Sequence, residues 1–254
     1  MEYDKILGVD VGASGIKGAI VNLKNGELLS ERKRLETPRP ATPKNMAATF
    51  AELVKSFDWQ GPVGCGFPAI VRDGVALSAA NIDKSWINTN IAKSFSKASG
   101  CEVKVCNDAD AAGVAEVAFG VGKGKKGVVI LITIGSGLGT ALFTDGRLVP
   151  NTEFGHVYLN NMIAEHYASN TTRQNYELSW KKWGKRFNEY LVHIERLLTP
   201  NLIILGGGTS KRYEFFEKYV KVSCPVIPAR LLNNAGIVGA AAYAQSQLIA
   251  AHTS

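Results

Sequence analysis

Two stretches of the same design constrain the fold of this chain more than anything else in it. Ile6–Val11 and Ile16–Val21 are short apolar runs joined by GASG, and Val128–Ile134 and Thr140–Phe143 are joined by GSGLG. Each run is bounded by turn residues at strand length, so each pair reads as two strands about a glycine turn. A strand that doubles back starts an antiparallel sheet, unlike the strand-to-helix glycine turn of a dinucleotide-binding fold. Meeting this hairpin twice, at residues 6–21 and 128–143, predicts two related α/β halves, and 254 residues are enough for two lobes with their own cores.

The rest of the chain fits that plan. NG at Asn25-Gly26 turns into Glu27–Arg34, read as a third strand. Asn45–Phe57 has apolar residues at helical spacing: Met46, Phe50, Leu53, Val54 and Phe57. Val63–Phe67 and Val103–Cys106 read as strands, the second leading into a helix from Ala109 to Phe119. After the basic loop GVGKGKKG the hairpin recurs. A long helix over Leu178–Leu198, a strand in NLIILGGG and a small-residue helix over Ala235–Ala250 complete the chain.

Charge and cysteine content narrow the class. The net charge of +7 favours polyanions, but the bases are dispersed and no nucleic-acid motif accompanies them. Four cysteines without a CxxC pair argue against a disulfide framework. MEYDKILGVD lacks the apolar core of a signal peptide, and Val128–Ile134 is far too short to span a bilayer. The expectation is a cytoplasmic protein that binds neither membrane nor nucleic acid.

The glycine turns carry the first chemical signal. Backbone N–H groups exposed by Gly and Ser can cradle phosphate oxygens. The residues so placed are Gly12, Ser14, Gly15 and Lys17 in the first hairpin, and Thr133, Gly135, Ser136 and Gly137 in the second; LGGGTS adds Gly207. Asp10, beside the first turn, suits the water shell of a Mg²⁺ ion. The GxxxxGK[ST] pattern of a P-loop is absent. In VCNDADAAGVAE, Asn107 or Asp108 can cap a helix and Asp110 suits its N-terminal dipole, while Glu116 reads as a surface residue. A carboxylate there can equally act as a base.

With NDADAAG, TEFGH and AEHYAS, the paired turns resemble the ROK family of sugar kinases and repressors, within the actin-like ATPase superfamily. The likeness is to the polyphosphate glucokinases, including the glucomannokinase type. It runs from LGVDVGASGIKGA through GFPAIV, SAANIDKSW, GKGKKG and LVPNTEFGH to LSWKKWGKRFNEYL and NNAGIVGAAAYA.

The resemblance implies a two-lobed, ribonuclease H-like sugar kinase fold with mixed sheets flanked by helices. It places a small lobe over residues 1–107, a large lobe over 108–234 and a C-terminal helix, 235–254, crossing back to the small lobe. It implies a homodimer as well.

The implied reaction moves a terminal phosphoryl group from polyphosphate, with ATP as a second donor, to the 6-hydroxyl of glucose, with mannose as a second acceptor. Asp108 is implied as catalytic base, and Asn81, Asn107, Asp108, Glu153, His156 and Glu165 as sugar contacts. A basic track for the polymer would draw on Lys123, Lys125 and Lys126, and on Lys181 and Lys185 in the long helix, with Lys182, Arg186 and Lys84 nearby. Trp180, Trp183 and Phe187 are expected to pack inward. Many ROK members follow the Gly-His pair with a zinc-binding cysteine cluster; GHVYLNNMIAEHYAS has none, so no zinc is expected and His156 is kept for sugar. A strictly ATP-dependent glucokinase is the alternative. A repressor would need a DNA-binding domain ahead of the first hairpin, where this sequence has five residues before Ile6.

Overall fold

The computed structural model describes residues 3–80 and 82–253, with the side chains of 252 and 253 set aside. Its contacts divide it into two units, residues 1–119 with 234–254 and residues 120–233. The sequence reading set the boundary before Asp108; the contacts set it after Phe119, because the helix that starts at Asp108 packs on the C-terminal helix.

In the first unit, strands β1 (Lys5–Val11), β2 (Ile16–Asn22) and β3 (Lys33–Leu35) lead to helix α1 (Pro43–Ser56) and β4 (Val63–Phe67). Helix α2 (Ile91–Ser99), β5 (Val103–Asn107) and α3 (Asp108–Ala118) follow. The sheet order is β3-β2-β1-β4-β5, antiparallel through the hairpin and parallel from β1 to β5. Strand β3 is shorter than the Glu27–Arg34 expected. Residues 27–29 still bond β2 through Asn22 N–H to Glu27 O at 2.8 Å and Leu29 N–H to Ile20 O at 2.7 Å, but Ser30 Oγ takes the Ile20 N–H at 3.0 Å, so a side chain interrupts the backbone ladder there.

Helix α1 starts where Thr42 accepts from the Asn45 N–H and Pro43 fits the first turn, and it buries Met46, Phe50, Leu53 and Val54. Phe50 stacks on Phe95 of α2 at 4.3 Å, and Phe67 meets Trp86 edge-on at 4.8 Å. This aromatic group fills one face of the sheet, and helices α3 and α7 (Ala235–Thr253) lie on the other side of the strand backbones. The small residues of α7 are required there. A Cβ on Gly64 of β4 would overlap the Ala240 carbonyl of α7, and one on Gly8 of β1 would overlap that of Ile237. The helix thus rests on bare backbone.

The second unit repeats the plan. Strands β6 (Val128–Ile134), β7 (Leu138–Thr144) and β8 (Arg147–Val149) precede short helices α4 (Ala164–Ala168) and α5 (Asn170–Asn175). Then come α6 (Trp180–Leu198), β9 (Leu202–Gly206) and β10 (Val226–Pro228). The order β8-β7-β6-β9-β10 matches that of the first sheet, as the repeated hairpin implies. Helix α6 is capped by Ser179 and buries Trp183, Phe187, Tyr190, Leu191 and Ile194 against Ile130, Ile132 and Ile203. Trp180 packs inward as expected, stacked on Phe215 at 5.7 Å and on Phe216 at 6.0 Å, but is only half-buried, and the Arg173 guanidinium also lies on its ring. Among the described residues no helix is long and apolar enough to cross a membrane.

Candidate functional site

In the first unit the carboxyl ends of three parallel strands stand side by side. Asp10 of β1 is in register with Gly66 of β4, Gly66 with Cys106 of β5, and Phe67 with Asn107. Ligands of α/β sheets bind at this edge, outside the strand ends. Asp10 pairs across the hairpin with Lys17, and their charged groups are 3.7 Å apart. Burial pushes the Asp10 carboxyl above its ordinary pKa, and the Lys17 and Arg32 charges pull it partly back. The first residues of α7 close on the same carboxylate, which lies 2.9 Å from where a Cβ of Gly236 would sit.

The first glycine turn is tied from inside. The Gly12 N–H donates to Gly15 O at 3.0 Å, Gly12 O accepts from Thr37 Oγ1 at 2.6 Å, and Ser14 O accepts from Arg34 at 2.6 Å. The Gly12 N–H is therefore spent within the turn. Arg34, which the sequence reading passed over, supplies a guanidinium beside it.

The capping question at α3 has a specific answer. Asn107 is the cap: its Oδ1 accepts from the N–H groups of Ala109 at 2.8 Å and Asp110 at 3.1 Å, and its Nδ2 donates to Ala69 O at 3.1 Å. Asp108 is the first helical residue and is exposed. Asp110 is buried at 1% exposure in the same turn, where the dipole favours its charge. Glu116 corrects the surface reading: it is fully buried. Helix α3 is built of small residues almost all round, so α7 packs closely along it and covers positions that one apolar stripe would leave in water.

In the second unit three predicted side chains meet. His156 Nδ1 lies 3.3 Å from Glu153 Oε2, and its Nε2 lies 3.6 Å from Glu165 Oε1. The loop carrying Glu153 and His156 is pinned to β7, where Thr140 Oγ1 donates to Thr152 O at 2.6 Å and accepts from the Phe154 N–H at 3.1 Å. Glu165, in the first turn of α4, reaches the second glycine turn and accepts from the Leu138 N–H at 3.4 Å. Burial raises the Glu153 pKa, His156 opposes that, and the Glu165 charge adds to it. His166, unpredicted, also stands 3.8 Å from Glu165.

The second turn is closed by Gly135 N–H to Gly137 O at 3.1 Å, and Asn170 N–H donates to Gly135 O at 3.1 Å. Thr133 is in register with Gly206 of β9. Gly207 follows with φ 76°, and a Cβ there would fall 2.6 Å from Ile134 O, so backbone strain and close approach both demand glycine. A pocket of about 320 Å³ opens beside this turn, and Arg173 and Arg212 line it. The lysines expected to form a track, Lys123, Lys125, Lys126, Lys181 and Lys185, are exposed and do not line that pocket. Arg186 lies instead on the Tyr167 ring at 4.9 Å. Asn81 lies outside the described residues. Among those described, no cluster of three or more His, Cys, Asp or Glu side chains is arranged to hold a metal.

Comparison with known proteins adds the following. The ROK family pattern matches residues 6–171. The polyphosphate glucokinase of Mycobacterium tuberculosis (strain CDC 1551 / Oshkosh) is 45% identical over 235 residues, covering 92% of this chain and 89% of that one. The inorganic polyphosphate/ATP-glucomannokinase of Arthrobacter sp. strain KM superposes with a TM-score of 0.91 at 44% identity, over 96% of this chain and 100% of that one. A ROK family glucokinase of Streptomyces griseus, solved with glucose and AMPPNP, gives 0.80 at 25% identity, over 95% and 99%.

Proposed function

The chain belongs to the ROK family, and from that premise we propose that it is a polyphosphate glucokinase. It moves the terminal phosphoryl group of inorganic polyphosphate to the 6-hydroxyl of glucose, with ATP as second donor and mannose as second acceptor. One observation carries this reading: the likeness to the polyphosphate enzymes, at 44–45% identity, runs over more than nine-tenths of the chain and takes in the two glycine hairpins, Asp108 and the Glu153–His156–Glu165 set together.

Asp108 is the proposed base. It is exposed and shares only the Ala109 N–H with the Asn107 cap, through its Oδ1 at 2.9 Å, so its other oxygen would take the hydroxyl proton as the sugar oxygen attacks. Asn107 spends its carbonyl on the helix and one amide hydrogen on Ala69, which leaves one hydrogen for a sugar hydroxyl. Glu153, His156 and Glu165 offer acceptors and a ring N–H to the other hydroxyls, so an epimer leaves a partner unmatched. The transition state is loose, so the protein's work is orientation and charge neutralisation. Lys17 beside the first turn serves the second task.

Mg²⁺ arriving with the donor would neutralise phosphate charge. A donor-borne Mg²⁺ needs only one or two carboxylates beyond its waters, and Asp10 fits that demand. His156 is kept as a sugar contact rather than a zinc ligand.

A coupled assay of polyphosphate and ATP against glucose, mannose, fructose and N-acetylglucosamine tests the reading. Polyphosphate with glucose is expected to lead. Turnover with ATP alone would replace it with the ATP-dependent alternative. Run across a salt series, the polyphosphate KM should rise more steeply than the ATP KM, since a longer polyanion releases more counterions; equal, shallow slopes would count against an extended binding track.

A further inference from the structure

Resting on that kinase reading, we infer that Arg173 selects the phosphoryl donor: laid on the Trp180 ring, it binds a phosphate chain and keeps a nucleobase off that ring. The pocket beside the second glycine turn is lined by Gly135, Ser136, Asn170, Arg173, Trp180 and Arg212 among others. The guanidinium carbon of Arg173 lies 4.2 Å from the Trp180 ring centre. Its Nε donates to Asn170 Oδ1 at 3.0 Å, and the backbone N–H of Asn170 donates to Gly135 O at 3.1 Å. One residue thus ties the guanidinium to the glycine turn.

A guanidinium has five N–H donors, and this hydrogen bond uses one. Among the described residues no carboxylate lies within ion-pairing distance of Arg173 or Arg212. Two guanidinia without acidic partners, lining a pocket beside a phosphate-type turn, make an anion site that extends beyond the turn itself. Trp180 is the one aromatic side chain among the lining residues, so it is the surface on which a nucleobase would stack. That surface already carries a cation. A nucleotide has to displace Arg173 to use it, whereas a phosphate chain gains charge-assisted hydrogen bonds and displaces nothing. The same side chain therefore acts in opposite directions on the two donors.

The test compares Arg173→Ala and Arg173→Lys with the natural protein, using long-chain polyphosphate and ATP as donors to glucose. Loss of charge-assisted hydrogen bonds should raise the polyphosphate KM of the alanine variant about tenfold or more. Its ATP KM should stay level or fall. The lysine variant keeps the charge without the flat stack, so it should hold polyphosphate better than the alanine variant and also gain with ATP. Equal losses with both donors, or no change with either, overturn the inference. Direct titration with polyphosphate, beside a melting curve for each variant, separates this from the kinase reading. If the natural protein phosphorylates no hexose, that reading fails. Weaker polyphosphate binding by a normally melting alanine variant would still support the site, and undiminished binding would overturn it.

Discussion

Replacing Asp108 with Asn separates chemistry from folding at the start of α3. Asn107 supplies the cap, with two backbone N–H groups on its Oδ1, and Asp108→Asn leaves both of those bonds intact. What is lost from the fold is one exposed carboxylate in the first helical turn, worth about 0.3–1 kcal/mol against the helix dipole. For a chain of this size that lowers Tm by roughly 1–4 °C. The loss of a positioned base is expected to lower kcat by about 10²–10⁴, which is roughly 3–5 kcal/mol of barrier. Asn107→Ala should do the reverse in stability, removing the cap and its bond to Ala69 O for about 1–2 kcal/mol. The measurements are a coupled assay with polyphosphate and glucose, thermal melting, and the rise in Tm on adding glucose. Asp108→Asn should still be stabilised by glucose while turning it over poorly. Retention of more than about a tenth of kcat, or a stability loss matching that of Asn107→Ala, would refute the assignment.

Two further outcomes follow from the packing and the charges. Gly64→Ala places a methyl against the Ala240 carbonyl, so α7 must shift; about 2 kcal/mol or more should be lost, with Tm lower by roughly 4–8 °C. A variant melting within about a degree of the natural protein would show that α7 does not rest on that strand. The Glu153 carboxyl has a pKa raised above 4.5 by burial, so its protonated form is favoured by folding; that contribution is complete below 4.5 and is lost as pH rises through the folded value. Glu153→Gln should therefore raise Tm at neutral pH, lose that advantage on acidification below 4.5, and weaken glucose binding. Melting curves from pH 4 to 8 check the sign.

The hairpins were legible because short, almost continuously apolar runs bounded by glycine turns leave few other structures, and β6 was read to the residue. Helix α2 was passed over because only Ile91 and Phe95 of its nine residues are buried, too few to show a stripe. The Glu153–His156–Glu165 set was named through family likeness, since its members meet only when α4 folds back beside the second turn. Arg34, Arg173 and Arg212 were missed for the opposite reason. Each is a single base in a polar segment, and its meaning comes from the turn or ring it touches. Glu116 was misread because a helix of alanine and glycine carries no record of how many sides are covered.

The glycine-bedded seat of α7 bears on how the protein is made. Strands β1 and β4 emerge from the ribosome early, yet the helix that covers their backbones begins roughly 170 residues after the end of β4. At about 5–20 residues per second, that leaves the first sheet with one face open for on the order of ten seconds. The second unit, residues 120–233, is continuous and can fold within that interval. The first unit to be synthesised is thus the last to be finished, and its exposed sheet face is where a nascent-chain chaperone would be needed.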